Sequence, residues 1–347
     1  MKLAPNRNIV GPAIDAVPDG GPRPLISVMI PVFNAGEFLR DTLASVLRQD
    51  PGPDVMEIEV VDNCSTEGDP ESVVREMAGQ RVRFHRQPRN VGAIENFNTC
   101  IRRARGEWIH LLHADDVLMP GFYAHVREAI ATHPQIGAVV CRHVFVDEDG
   151  TWLSLSEPQA HAPGILDDRF VERQLTAQRL QFVGLVVRRS VYETLGGFRQ
   201  DFLHCTDWDM WNRLVLHESV FYDPALLACL RLHPGSGTSH MIRTGANVRE
   251  ERLCVRTSCA HLPRKQAKRL YRSAMSIAAT HALRHMRNHW QRGDGATALR
   301  QLIEVLRCGV SAMTIGFVYW WLRPSAPLPK QRTTVAAPAP PREAQVR

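Results

Sequence analysis

The 347-residue chain is 44% hydrophobic and 22% charged, enough apolar material for one large folded domain with an appendage, which excludes a chain disordered along most of its length. The net charge of +6 is uneven: residues 1–260 carry 27 Lys and Arg against 33 Asp and Glu, whereas residues 261–323 carry 11 against 2. That basic stretch lacks the interleaved aromatics that stack bases, so no nucleic acid is expected, and its charge points to an anionic membrane surface.

Residues 1–24 hold no secretory signal, because Gly, Pro and Asp interrupt every apolar stretch, and they read as a flexible leader. Leu25–Val32 is a continuous apolar run, as expected of a strand buried on both faces. Glu37–Gln49 has helical spacing, with Phe38, Leu39, Leu43, Val46 and Leu47 on one stripe. A strand at Val55–Val61, a helix at Pro70–Ala78, a short strand at Val82–His85, a helix at Ala93–Arg105 and a strand at Trp108–Leu112 follow. Strands alternating with helices of this length predict a mainly parallel sheet with right-handed crossovers. Further on, strand patterns occur at Ile136–Val146, Phe182–Val187 and Leu226–Leu232. Helices are predicted at Val191–Leu195, stopped by Gly196-Gly197, and at Asp207–His217, Gly245–Cys259 and Lys265–Trp290. Cys308–Leu322 is a charge-free run of fifteen residues ending in Tyr319-Trp320-Trp321. It falls short of the roughly 20 residues that span a bilayer and reads as an interfacial helix, or else as a core helix or dimer contact. Residues 324–347, rich in Pro and Ala, read as a disordered tail. None of the eight cysteines forms a Cys-x-x-Cys pair, so neither a zinc cluster nor a disulfide framework is suggested, and they read as reduced thiols of a cytoplasmic protein.

Three polar clusters follow apolar strands directly: Pro31–Asn34, Asp62–Ser65 and His113–Asp116. In open α/β sheets ligands bind beyond the carboxyl ends of the strands, so the three are expected to form one site. Neither a dinucleotide-binding glycine fingerprint nor a P-loop is present. Asp116 is a candidate ligand for Mg²⁺ or Mn²⁺, with Asp115 orienting the metal or a ribose, although an Asp-Asp pair can equally make a turn or cap a helix. Asp62 can accept from a pyrimidine N3–H or a ribose hydroxyl, or can be a turn residue. Asp207 stands at a helix start, where it can act as a general base or as an N-cap.

Taken in order, ISVMIPVFNAGEFLRDTLASVLRQ (26–49), VVDNCST (60–66), RNVGAIENFN (89–98), GEWIHLLHADDVLMPG (106–121), VVRRSVYETLGGF (186–198), TDWDMWNRL (206–214) and LRLHPGSGTS (230–239) resemble the family-2 glycosyltransferases of GT-A fold over about residues 25–240. The resemblance implies a GT-A domain at 25–240, and a basic helical region at 241–323 follows it. It implies that Pro31, Phe33, Asn34 and Asp62 contact the nucleotide base, and that Asn90, Gly92 and Asn98 back the donor. It further implies that Asp115 and Asp116 bind the metal and diphosphate, that His233 lies near them, and that Asp207 is the catalytic base of a single inverting displacement. The chain departs from the family in carrying His113 where relatives often have Asp, Cys64 where they often have Gly, and Thr206 where they often have Glu, which makes Asp209 a substitute base. The Gln-x-x-Arg-Trp motif and long membrane spans of processive synthases are absent from the sequence, so one sugar per encounter is expected.

The expectation is therefore a metal-dependent transferase of polysaccharide biosynthesis, peripheral to the inner face of the membrane. It would move a sugar from a UDP- or dTDP-sugar to a saccharide or lipid-linked hydroxyl. A catalytically degenerate scaffold and a sugar nucleotidyltransferase are the alternatives.

Overall fold

The apolar run at the start of the sheet becomes β1 (Ile26–Val32), all seven residues of which are buried. It is followed by α1 (Phe38–Leu47), β2 (Met56–Asp62), α2 (Pro70–Ala78), β3 (Arg83–Arg86), α3 (Ala93–Arg103) and β4 (Trp108–Leu111). The computed structural model describes residues 11–18, 21–233, 237–260, 262–309 and 315–316. Most of the apolar run 308–322 and all of the tail 324–347 lie outside the described residues. Strands β1 to β4 are parallel in the order β3-β2-β1-β4, with Val32 opposite Asp62 and Met29 opposite Leu111. The carboxyl ends of β2, β1 and β4 are thus neighbours, which brings the three polar clusters to one edge.

The second half adds β5 (Val117–Leu118), α4 (Phe122–Thr132), β6 (Ala138–Val146), β7 (Trp152–Leu155), β8 (Gly164–Ile165), α5 (Asp168–Thr176), β9 (Leu185–Arg188), α6 (Arg189–Leu195), α7 (Thr206–His217) and β10 (Val220–Arg231). Here the sheet is mixed: β9 runs antiparallel between β4 and β6, and β10 pairs parallel with β6. Helices cover both faces of the sheet, in two apolar cores.

The C-terminal region forms α8 (Gly237–Thr244), α9 (Ala246–Cys259), α10 (Arg264–Gln291) and α11 (Gly295–Cys308). It shares a core with the sheet domain, in which Leu175, Phe202, Trp208 and Leu216 pack with Val255, Leu270 and Met275. Helices α4, α5, α8 and α11 were not read from the sequence; α5 and α11 open on Asp caps, Asp167 and Asp294, that are legible only in hindsight. Among the described residues no helix is long and apolar enough to cross a membrane.

Part of the expected flexible leader is packed instead. Ile14 is buried, Gly11 N donates to Leu195 O, Gly197 N donates to Pro12 O, and Arg189 Nη2 donates to Asp15 O. An apolar side chain and several backbone bonds to the domain outweigh the conformational entropy of an otherwise polar segment.

Candidate active site

The loops after β1 and β2 interlock. Asn34 adopts a left-handed φ of 52°, which Asn tolerates, and its Oδ1 accepts from Thr66 N and Glu67 N. Asn34 N donates to Ser65 Oγ at 3.0 Å. Asp62, fully buried, uses Oδ1 to accept from Ser65 N and Oγ, whereas Oδ2 has no hydrogen-bond donor and lies 3.4 Å from Arg86 Nη1. Pro31 is buried within β1, and Phe33 is 45% exposed beside these loops. Asn90 Oδ1 accepts from Asn63 Nδ2 and Gly92 N, and Gly92 takes φ 84° at the start of α3.

Asn98 stands apart from this group. Its amide is fully buried, accepting from Phe198 N and donating to Phe198 O, and it ties α3 to the loop before α7. The neighbouring Gly197 has no room for a side chain, because a Cβ there would sit 2.3 Å from Asn98 Oδ1.

The third cluster meets the end of β10. Asp116 is buried, and Oδ1 accepts from Arg231 N at 3.0 Å. Burial, reinforced by the adjacent Asp115 charge, pushes its carboxyl well above the usual range. Arg231 donates to Asp115 O and Asp41 Oδ2 and lies 4.6 Å over the Phe38 ring. His233 Nε2 is 3.0 Å from Asp115 Oδ2, joining segments 118 residues apart. His113 packs against Phe97 and Phe182 at 5.2 and 4.5 Å, with Nε2 buried and without a partner. Burial holds its imidazole below its ordinary pKa and therefore neutral near pH 7. Ligand atoms of His113, Asp115 and Asp116 all lie within 4.8 Å of one another. Two adjacent carboxylates, one of them buried, and a neutral imidazole with an unpartnered nitrogen suit a hard divalent cation. His113 was outside the metal set read from sequence, where it counted only as a missing carboxylate.

Asp207 lies in the first turn of α7 and is half-buried at the cavity wall. Burial raises its pKa to about 6, opposed by hydrogen bonds from Gln178 Nε2 and Trp208 N. Asp209, the substitute base, is instead locked in a buried ion pair with Arg213 at 3.0 Å. Arg213 also donates to the Leu195 and Gly197 carbonyls, so this pair clamps the loop before α7 and does not line the cavity.

His113, Asp115, Asp116, Asp207 and His233 line one cavity of about 720 Å³. Gln181, Phe182 and the end of β10 complete the sheet-domain side, and the basic C-terminal region adds Arg243 on α8 and His285, Asn288, His289 and Arg292 at the end of α10. The sequence points to the C-terminal helices as part of the acceptor site but singles out none of these residues. The spacing of His281, His285 and His289, one per helical turn, is the one sequence signal that could have drawn attention to this face.

A sequence model of glycosyl transferase family 2 matches residues 27–196. An uncharacterized protein of Mycobacterium tuberculosis is 28% identical over 254 residues, covering 69% of this chain and 77% of its own length. The fold is similar to that of TarS from S. aureus in complex with UDP-GlcNAc (TM-score 0.52, 13% identity, covering 83% of this chain and 93% of that one). It is also similar to the mannosyltransferase PcManGT from Pyrobaculum calidifontis in complex with GDP-Man and Mn²⁺ (TM-score 0.52, 19% identity, covering 86% and 91%). With its GT-A sheet and the strand-end motifs gathered at one edge, the chain carries a glycosyl transferase family 2 domain over residues 27–196 and is a glycosyltransferase.

Proposed function

We propose that the chain is an inverting transferase that moves one sugar per encounter from a nucleoside diphosphate sugar to an acceptor hydroxyl, with Asp207 as general base. The observation that carries this is the shared cavity: a carboxylate with a pKa of about 6 faces the same space as the Asp115-Asp116 pair. A base with that pKa is largely ionised at neutral pH yet still takes up a proton, which suits abstraction from a hydroxyl as its oxygen attacks the anomeric carbon.

On this reading the uracil or thymine base of a UDP- or dTDP-sugar lies by Phe33, Asn34 and Asp62, whose Oδ2 is ion-paired with Arg86 and has room in its hydrogen bonding for the base N3–H. Pro31 walls that pocket, and Asn90 and Gly92 form the loop that backs the donor. TarS with UDP-GlcNAc supports a uridine donor, and PcManGT with GDP-Man keeps guanosine in contention. Mg²⁺ or Mn²⁺ would be held by Asp116, Asp115 and His113, with His233 orienting Asp115 or joining the set. When bound, the cation neutralises charge on the leaving diphosphate.

Arg243, His289 and Arg292 line the same cavity as Asp207, which favours an acceptor bearing an anionic group, such as a saccharide carried on a lipid phosphate. Such an acceptor fits a protein working at the inner face of the membrane in polysaccharide assembly.

The test is calorimetric binding of uridine, thymidine, guanosine and adenosine diphosphates, with and without Mn²⁺, to the wild type and to Asp116→Asn. Metal-dependent binding of uridine or thymidine diphosphate, lost in the variant, is expected. Failure of all four to bind would remove the donor site from the reading.

A further inference from the structure

Helix α11 carries two faces. Thr297, Ala298, Gln301, Glu304 and Val305 are buried, with Ala298 and Val305 packing against Ala278, Ala279, Ala282 and Leu283 of α10. The other face leaves Leu299, Leu302, Ile303 and Leu306 exposed, at 59%, 38%, 39% and 63%. Their spacing of i, i+3, i+4 and i+7 puts four large aliphatic side chains in one continuous stripe. A scattered exposed leucine needs no explanation, but a stripe of four on one helix does.

The charge around the stripe identifies its partner. Arg300 and Arg307 fall together along one edge of it at helical spacing, both exposed. The helix has a single carboxylate, Glu304, which is buried on the opposite face and paired with Arg252 and Arg307. The water-facing side of α11 is thus apolar at its centre, with Arg300 and the Glu304-paired Arg307 along one edge and no exposed carboxylate within the helix. Trp290, 63% exposed at the end of α10, adds an aromatic beside the turn into α11. A protein partner would not require the exposed charges of the helix to be arginines alone, whereas an anionic bilayer attracts them and accepts the aliphatic stripe at the boundary of headgroups and acyl chains.

We propose that α11 is a membrane-docking helix that lies in the plane of an anionic lipid surface, with Leu299, Leu302, Ile303 and Leu306 in the acyl boundary and Arg300 and Arg307 among the headgroup phosphates. The inference extends the reading of a lipid-borne acceptor. Helix α11 packs on α10, whose last two turns line the Asp207 cavity, so docking would hold that cavity near the surface carrying the acceptor. The stripe residues precede the apolar run 308–322 in the sequence, so substitution within the stripe alone distinguishes the two.

The test is flotation of the full-length protein with vesicles of phosphatidylcholine alone and of phosphatidylcholine mixed with phosphatidylglycerol. The wild type is expected to float with the anionic vesicles, less so in high salt. The double variant Leu302→Glu and Leu306→Glu should lose about tenfold or more in partitioning, and Leu299→Trp should gain. All four stripe positions are exposed, so uridine diphosphate binding and the thermal midpoint report whether each variant remains folded and whether the donor reading stands, independently of lipid. Equal flotation of wild type and double variant would overturn the proposal and move docking elsewhere on the chain. So would a monomeric wild type that does not float, because the chain would then cover its own stripe, or a non-floating dimer that the double variant dissolves.

Discussion

Gln178 Nε2 donates a hydrogen bond to Asp207 Oδ2, across 29 residues of sequence. The bond favours the ionised carboxylate, while burial favours the neutral one and prevails, leaving the pKa at about 6. Transfer should therefore fall as pH drops through about 6. Replacing Gln178 with Leu removes the stabilising donor, so the acid limb should move to higher pH while activity at pH 8 changes little. A pH–rate profile checks this, and an unmoved limb would mean that another group controls it.

Asp207→Asn should keep nucleotide binding but lose about 10²–10⁴ in transfer rate, the usual share of a general base. Asp209→Asn should act differently, because it leaves the buried Arg213 with a weaker partner, and stability should fall with much of the rate per folded molecule retained. Single-turnover rates together with thermal melts separate the two.

The same Asp207 burial has a stability consequence. Its folded pKa of about 6 lies above the unfolded value of 3.8, so its favourable contribution is complete below pH 3.8 and is lost as pH rises through 6. Above that, the ionised group costs stability. Asp207→Asn should accordingly melt higher than the wild type at pH 8, by no more than about 3 kcal/mol, with the difference vanishing near pH 4. Melts at the two pH values are the check.

At the metal site, Asp116→Asn keeps an acceptor for Arg231 N and removes only charge. It should fold as the wild type does but lose the rise in melting temperature that Mn²⁺ with nucleotide confers. His113→Phe fills the space between Phe97 and Phe182 without a nitrogen and should weaken Mn²⁺ by about tenfold or more. Undiminished Mn²⁺ binding in His113→Phe would leave the two carboxylates as the whole site.

Asn98→Ala should leave donor affinity unchanged and cost about 1–3 kcal/mol, because both backbone groups of Phe198 lose a buried partner. Calorimetric affinity and denaturant unfolding measured on the same sample test both halves of this expectation.

The sequence alone determined the order of strands and helices through residue 112 and the alignment of three polar clusters with strand ends. Period and burial are local: an apolar run such as Ile26–Val32 and a stripe such as Leu39, Leu43 and Val46 each state their own conformation. Family pattern carried the reading on to Asp207 and His233. Tertiary structure decided what those residues face. It turned Asn98 and Asp209 inward as braces, because each found backbone or arginine partners from distant loops. It left His113 Nε2 without a hydrogen-bond partner at the cavity and Asp62 Oδ2 with only the Arg86 ion pair. It also brought the end of α10 to the cavity wall, through a core shared by α5, α7, α9 and α10 that no periodicity announces. Conformation can be read from neighbours three or four residues apart, but the partner of a side chain is settled by which distant surfaces close over it.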